Sequence, residues 1–232
     1  GTLGAIVTKA GKCYLLSNSH VLALSGTAKK GDLITYPGPA DGGSTPDDVV
    51  AKLAQLKKFV PGGQFVNHAD CAIAEPVAGR RNDLVAEIKG LGLPAGRTRA
   101  VRGMKVIKVG RTTKKTQGQV RDVHFRFTLD YDEVGEVGFI DQVLCSRYTK
   151  PGDSGSLVVE EATGRAVGLH FAGAKGGSVF SPIKEVLNAL GVELVTKSIG
   201  RAPSKTIKKS PRKPAKPAST RSNGKRAAKK KP

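Results

Sequence analysis

Tryptophan is absent from this chain of 232 residues, aromatics make up 5%, and cysteine appears only as Cys13, Cys71 and Cys145. Three cysteines are too few, and odd in number, for a disulfide framework. No Cys-x-x-Cys pair or Cys/His cluster is present, so neither a metal nor a cofactor is expected. Free thiols buried in strands are the simplest reading, and their scarcity favours a reducing compartment. No apolar run approaches the length of a membrane span. Acidic residues are missing from Lys197 to Pro232, a stretch that holds 14 Lys/Arg. The first 196 residues carry 25 basic and 19 acidic side chains, so most of the net charge of +20 lies in the tail. The chain begins at Gly1 rather than Met, which leaves a removed leader open.

Glycine, by contrast, is abundant at 29 residues, which suits a β-rich chain with many turns. The first 196 residues are long enough to bury a real core. Residues 2–7 and 13–17 read as a hairpin around Thr8–Lys12. Residues 31–36 form a short strand, and Pro37 to Pro46 a surface loop. Val49 to Val60 carries a helix-like spacing, but its flanking prolines favour a bent strand. Arg80 to Arg99 reads as the connection between two halves. Strands follow at 105–109, 119–129, 138–146, 165–173 and 176–180, with a turn over 110–118. In the longest, Val123, Phe125 and Phe127 face inward, while Asp122, His124 and Arg126 face outward. A helix over 182–190 is expected, with Ser181 as cap, Pro182 in the first position and Gly191 as stop.

One stretch carries chemistry. In Gly152-Asp153-Ser154-Gly155-Ser156 two glycines flank a serine, and a turn of this kind can aim the N–H groups of Gly152 and Ser154 at one point. That is the geometry of an oxyanion hole, although a Gly-Asp-Ser-Gly hairpin turn is the plainer alternative. A serine hydroxyl needs a base, and the base needs an orienting acid. His20 ends an apolar strand after Ser17-Asn18-Ser19. Asp70 heads the apolar run Cys71-Ala72-Ile73-Ala74, where a carboxylate needs a partner. His68, two residues from Asp70, is the nearest rival base. The order is therefore His20, Asp70, Ser154, unlike the serine-first order of α/β-hydrolases.

With these three stretches the chain resembles the chymotrypsin-like (trypsin-like) serine peptidase family, most of all its bacterial-type domains. The Gly-Thr-Leu-Gly start and Gly110-Arg111-Thr112-Thr113 add to the likeness, which covers roughly residues 1–195. The resemblance implies an all-β fold of two six-stranded antiparallel β-barrels with a short C-terminal helix. Residues 1–85 would form the first barrel, 86–196 the second, and 197–232 a disordered Lys/Pro/Ala-rich tail. It further implies a serine endopeptidase with His20, Asp70 and Ser154 as triad. Two departures stand out: the cysteines that bracket the histidine and serine loop in digestive members are missing, and Asp153 has no activation N-terminus to pair with.

Specificity is also implied by the resemblance. Tyr148 occupies the position where trypsin-like enzymes keep an Asp for basic side chains, so cleavage after Lys or Arg is not expected. Thr149 and His170, with Phe171 beside it, resemble the pattern of glutamate-specific bacterial members. The partners expected are a peptide or protein substrate and, through the tail, nucleic acid or another polyanion held without sequence specificity. A peptidase fold that only binds peptide or nucleic acid is the competing class. Oligomeric state is not legible.

Overall fold

The computed structural model describes residues 1–196. The first half of the chain forms β1 (Ala5–Lys9), β2 (Lys12–Ser17), β3 (Leu33–Thr35), β4 (Val49–Leu56), β5 (Phe65–Asn67) and β6 (Ala72–Pro76). The second half forms β7 (Lys105–Gly110), β8 (Lys114–Tyr131), β9 (Gly135–Cys145), β10 (Leu157–Glu160), β11 (Ala166–Ala174) and β12 (Gly177–Pro182), and the last strand among the described residues is β13 (Glu193–Leu194). Helix is confined to a single turn, α1 (Ser19–Leu22), to α2 (Ile183–Leu190), and to short 3-10 segments. Neither helix is long and apolar enough to cross a membrane.

Two sheets result. One has six strands in the order β13-β1-β2-β6-β4-β3. In the other, β7 to β12 close on themselves, because β12 pairs with β9 (Val179 opposite Leu144) as well as with β11. To this ring β5 adds a parallel edge, with Phe65 opposite Gly138. Each half thus lends one strand to the other's sheet, the first half β5 and the second β13, which pairs with β1 at Val7–Leu194. Between the sheets lies the largest apolar core. Val7, Leu16 and Ile73 from one side meet Ile107, Leu157 and Leu169 from the other, and α2 closes it with Ile183, Val186, Leu187 and Leu190. A helix with four buried residues on one face needs no strong intrinsic propensity, because burial of that face holds it.

Most strands lie where alternation puts them, and Val49–Leu56 is a strand rather than a helix. Two readings are corrected. The turn over 110–118 is only Arg111–Thr113, and β8 runs for 18 residues; Lys108 pairs with Thr116 where a loop was expected. Polar residues there alternate in and out as a strand requires, but without apolar residues the period is invisible. The second correction concerns α2. It starts at Ile183, Pro182 is its cap, and Ser181 belongs to β12. The Ser181 hydroxyl has other partners: it donates to Gln142 Oε1 (2.9 Å) and accepts the N–H of Asp70 (3.3 Å). Gly191 does stop the helix, in a left-handed conformation at φ 62°. All three cysteines are free; Cys71 and Cys145 are buried and Cys13 is half-buried. Burial pushes the Cys145 thiol up to about 12, so it stays protonated and unreactive. The tail from residue 197 lies outside the described residues, and so does its expected disorder.

Candidate active site

His20 sits on the turn α1 that follows β2. Its Nδ1 lies 2.5 Å from Asp70 Oδ2. Asp70 has no exposed surface, so its carboxylate depends wholly on protein donors. Oδ1 accepts the backbone N–H of Ser19 (2.6 Å) and of His20 (3.3 Å). Oδ2 takes His20 Nδ1 and the Tyr131 hydroxyl (3.1 Å). The α1 turn therefore places its first amides on Asp70, which anchors the backbone that carries His20. A carboxylate at Nδ1 also fixes the neutral tautomer with Nε2 as free base. Asn18 Nδ2 donates to the Asp70 carbonyl (2.8 Å), tying the two segments a second time.

Ser154 lies in a turn that only glycine permits on both sides. Gly152 and Gly155 have φ of 94° and 95°, and a Cβ on either would run into neighbouring atoms of Thr112, Ser17 or Thr2. Among the described residues the amides of Gly152 and Ser154 meet no protein acceptor, while those of Asp153 and Gly155 are bonded to Lys150 and His170 carbonyls. Two neighbouring donors are thus left open. Thr2 braces the turn from the chain's first residues: its N–H donates to the Ser154 carbonyl (2.8 Å) and its hydroxyl to that of Gly152 (2.9 Å). The Ser154 hydroxyl itself donates to the Phe171 carbonyl at 3.4 Å. Among the described hydrogen bonds none joins Ser154 to His20. The structure brings His20 to Asp70, and leaves the serine on a neighbouring carbonyl.

The partner of Asp153 is Lys108, a residue with no motif around it. Nζ is 3.2 Å from Oδ2, and both side chains are fully buried. Asp153 also accepts the amides of Thr112 and Thr113 (3.0 Å each), the Thr113 hydroxyl (2.6 Å) and the Lys150 amide (3.0 Å). Burial alone would raise the carboxyl. The bonds from Thr113, Lys150 and Lys108 outweigh it and hold Asp153 well below the ordinary carboxylate range. Burial in turn lowers Lys108, against the pull of Asp153. The Gly110-Arg111-Thr112-Thr113 motif is thus a cradle for Asp153, and the Lys108–Asp153 pair locks the serine turn without a freed N-terminus.

The residues expected beside the substrate divide into two sets. Thr149 Oγ1 lies 2.7 Å from Ser178 Oγ, which also accepts the Tyr148 amide (3.1 Å). Ser178, on β12, has no signal in sequence beyond following two glycines. Tyr148 turns its ring into the barrel core, against Gly118, and its buried hydroxyl has no partner. Phe171 is likewise a core residue, with its ring 4.9 Å from that of Phe139. Its functional atom is the carbonyl at Ser154. His170 is buried, with Nδ1 2.9 Å from the Val179 carbonyl. A carbonyl cannot donate, so Nδ1 carries the proton and Nε2 is a bare acceptor in the neutral ring. Burial, the largest cause, pushes His170 down to about 4. His68 and His124 both face Asp141, at 3.8 and 3.2 Å, on an exposed surface.

Replacing Lys108 by Met tests the lock. It leaves Asp153 charged, buried and without its cation, and should lower unfolding free energy by about 3–5 kcal/mol. The exposed Lys105→Ala should stay within about 0.5 kcal/mol. Urea midpoints measure both; equal midpoints for Lys108→Met and the parent would contradict the assignment.

No family model matches this sequence, and no curated protein matches it. Solved structures do. A glutamic-acid-specific serine protease that uses a histidine triad in substrate binding is similar over 83% of this chain and 91% of its own, at 24% identity and TM-score 0.55. Thermobifida fusca protease A is similar over 84% and 91%, at 20% identity and TM-score 0.56. Cellulomonas bogoriensis chymotrypsin is similar over 84% and 90%, at 20% identity and TM-score 0.55. The two sheets, their strand order and these likenesses together identify the fold of this chain as chymotrypsin-like.

Proposed function

We propose that the protein is a serine endopeptidase. The observation that carries the reading is the 2.5 Å contact between His20 Nδ1 and a fully buried Asp70 carboxylate, in a chymotrypsin-like fold with Ser154 between two left-handed glycines. Ser154 Oγ leaves the Phe171 carbonyl and attacks the scissile carbonyl carbon. His20 Nε2 takes the hydroxyl proton, and Asp70 stabilises the imidazolium. The open amides of Gly152 and Ser154 hold the oxyanion, an effect worth about 3 kcal/mol per donor. As the C–N bond breaks, His20 returns the proton to the leaving amine. Water then attacks the acyl-enzyme, giving a proton to His20, which passes it to Ser154 Oγ as the acyl–oxygen bond breaks and the acid product leaves.

The substrate side chain before the cut is a glutamate or aspartate in this proposal, held by Thr149, Ser178 and His170. The tail binds a polyanion such as DNA through counterion release, and so tethers the enzyme. Alanine at Ser154 or His20 should abolish peptide hydrolysis without unfolding, and Asp70→Asn should lose about 10⁴-fold through the wrong tautomer. A chain cut after Thr196 should cleave a small peptide at the parent rate but lose salt-sensitive DNA binding. Hydrolysis by Ser154→Ala as fast as by the parent would sink the triad assignment, and no hydrolysis by the parent would leave a silent binding module as the better reading.

His170 gives the specificity a pH signature. Its Nδ1–H is committed to Val179, so a carboxylate can bind at Nε2 only if the ring takes up a proton. The charged groups acting on the ring are Asp153, which favours that proton, and Lys108 and His20, which oppose it. Above a pKa of about 4 each rise of one pH unit removes about nine-tenths of the protonated ring. The ratio of kcat/KM for Glu over Gln should therefore fall by about tenfold per unit between pH 6 and 8, and lose this slope in His170→Ala. A flat ratio would remove His170 from carboxylate recognition.

A further inference from the structure

We propose that Tyr131 is the positioning residue for the catalytic carboxylate, delivered to the site by the long β8–β9 hairpin. The inference rests on the triad reading above and adds a fourth member to it. A buried carboxylate needs donors on both oxygens, and those of Asp70 can be counted. Oδ1 holds the amides of Ser19 and His20. Oδ2 holds His20 Nδ1 and one other donor, the Tyr131 hydroxyl. Without that hydroxyl, the oxygen that faces the base keeps a single donor, His20 Nδ1, and the carboxylate is held on its other side alone.

Tyr131 is built to stay there. It is the last residue of β8, opposite Gly135 at the end of the hairpin. The hairpin belongs to the closed sheet, whereas Asp70 lies between β5 and β6 of the first half. The length of β8 carries the Tyr131 side chain from one to the other. The ring stacks on Phe59 at 4.9 Å and lies 6.0 Å from the ring of His20. Phe59 is held in turn by the segment behind it. Asn67 closes the loop by exchanging bonds with Val60 N–H and C=O (2.8 and 2.9 Å), and it donates to the Gly138 carbonyl of β9 (3.0 Å). The parallel β5–β9 pairing fixes the same two segments. Hairpin, loop and carboxylate therefore close a ring of contacts: Tyr131 to Asp70, Phe59 to Tyr131, Asn67 to Gly138.

The chemistry fits a donor. Burial, and then the nearby Asp70 charge, raise the Tyr131 phenol far above its ordinary range, so the hydroxyl keeps its proton throughout the working pH. A hydrogen bond donated to Oδ2 withdraws charge from the carboxylate that faces His20. Titratable groups nearby include the buried Cys71 thiol, which senses Asp70 and Lys57, and His170, which senses His20. None of them takes part in the Tyr131–Asp70 hydrogen bond, so a change at Tyr131 reads out on His20.

Tyr131→Phe removes the hydroxyl and keeps the ring. Asp70 then bears more of its charge toward His20, so the imidazolium is favoured and its titration moves up, by about half to one pH unit. Two readouts are needed. The first is the acid limb of kcat/KM, which should move up by the same amount, with kcat reduced about tenfold and KM changed less than twofold, because the ring wall is intact. The second is an NMR titration of His20 in Ser154→Ala and in Ser154→Ala/Tyr131→Phe, which needs no turnover. If the parent fails to hydrolyse peptides but the NMR midpoint still moves up, the endopeptidase reading fails and the Tyr131 contact stands. An unmoved His20 midpoint, or a Tyr131→Phe enzyme with the parent's kcat and acid limb, overturns the inference.

Discussion

A carboxylate sealed from water has to find its donors in the protein, and the donors of Asp70 come from two separate parts of the chain. The α1 turn gives the amides of Ser19 and His20 and the His20 ring, and β8 gives the Tyr131 hydroxyl, while Ser181 of β12 accepts the Asp70 amide. Satisfying one buried charge therefore draws the two sheets together at the point where the chemistry is proposed. Ser181 passes the constraint on through Gln142, whose amide donates to the His68 carbonyl (3.0 Å), so the segment bearing Asp70 is held at both ends. A buried charge left short of donors is worth several kcal/mol against folding, so the satisfied state is sharply preferred.

The second buried charge does the same for the serine turn. Asp153 and Lys108 have no exposed surface, and the threonines of the Thr112-Thr113 turn complete the carboxylate's shell. Pairs of this kind contribute modestly to net stability against an apolar alternative, but losing one partner is expensive. Their effect here is on conformation: the turn that opens the amides of Gly152 and Ser154 is fixed by a cation supplied within the same sheet. The two charges thus divide the work, Asp70 orienting the His20 ring and Asp153 orienting the serine turn.

Much of this was legible in the sequence because it is local. The hairpin at the start, the stop of α2 at Gly191 and the three stretches around His20, Asp70 and Ser154 all carry their signals within ten residues. What was missed is set by distance. Lys108 lies in a strand whose other lysine, Lys105, is exposed, and nothing nearby tells the two apart. Tyr131 falls just beyond the expected strand 119–129, and its partner is 61 residues away. Ser178 is one polar residue in a strand that reads only as a return. Ser181 fits a helix cap by its neighbours, but a buried amide across the barrel has the stronger claim on it. Tyr148 and Phe171 occupy positions that the resemblance assigns to substrate contact, yet their rings complete the core. A position in a motif fixes the backbone, and packing decides where the side chain turns.

The central claim is that Ser154 becomes a nucleophile through His20, although the hydroxyl rests on the Phe171 carbonyl in this structure. Reaction of the full chain with a fluorophosphonate, followed by peptide mapping, tests it most directly, since the reagent traps an activated serine whatever the natural substrate. The account predicts a single adduct, on Ser154, formed at a rate that collapses in His20→Ala. No adduct, or one whose rate does not depend on His20, would contradict it.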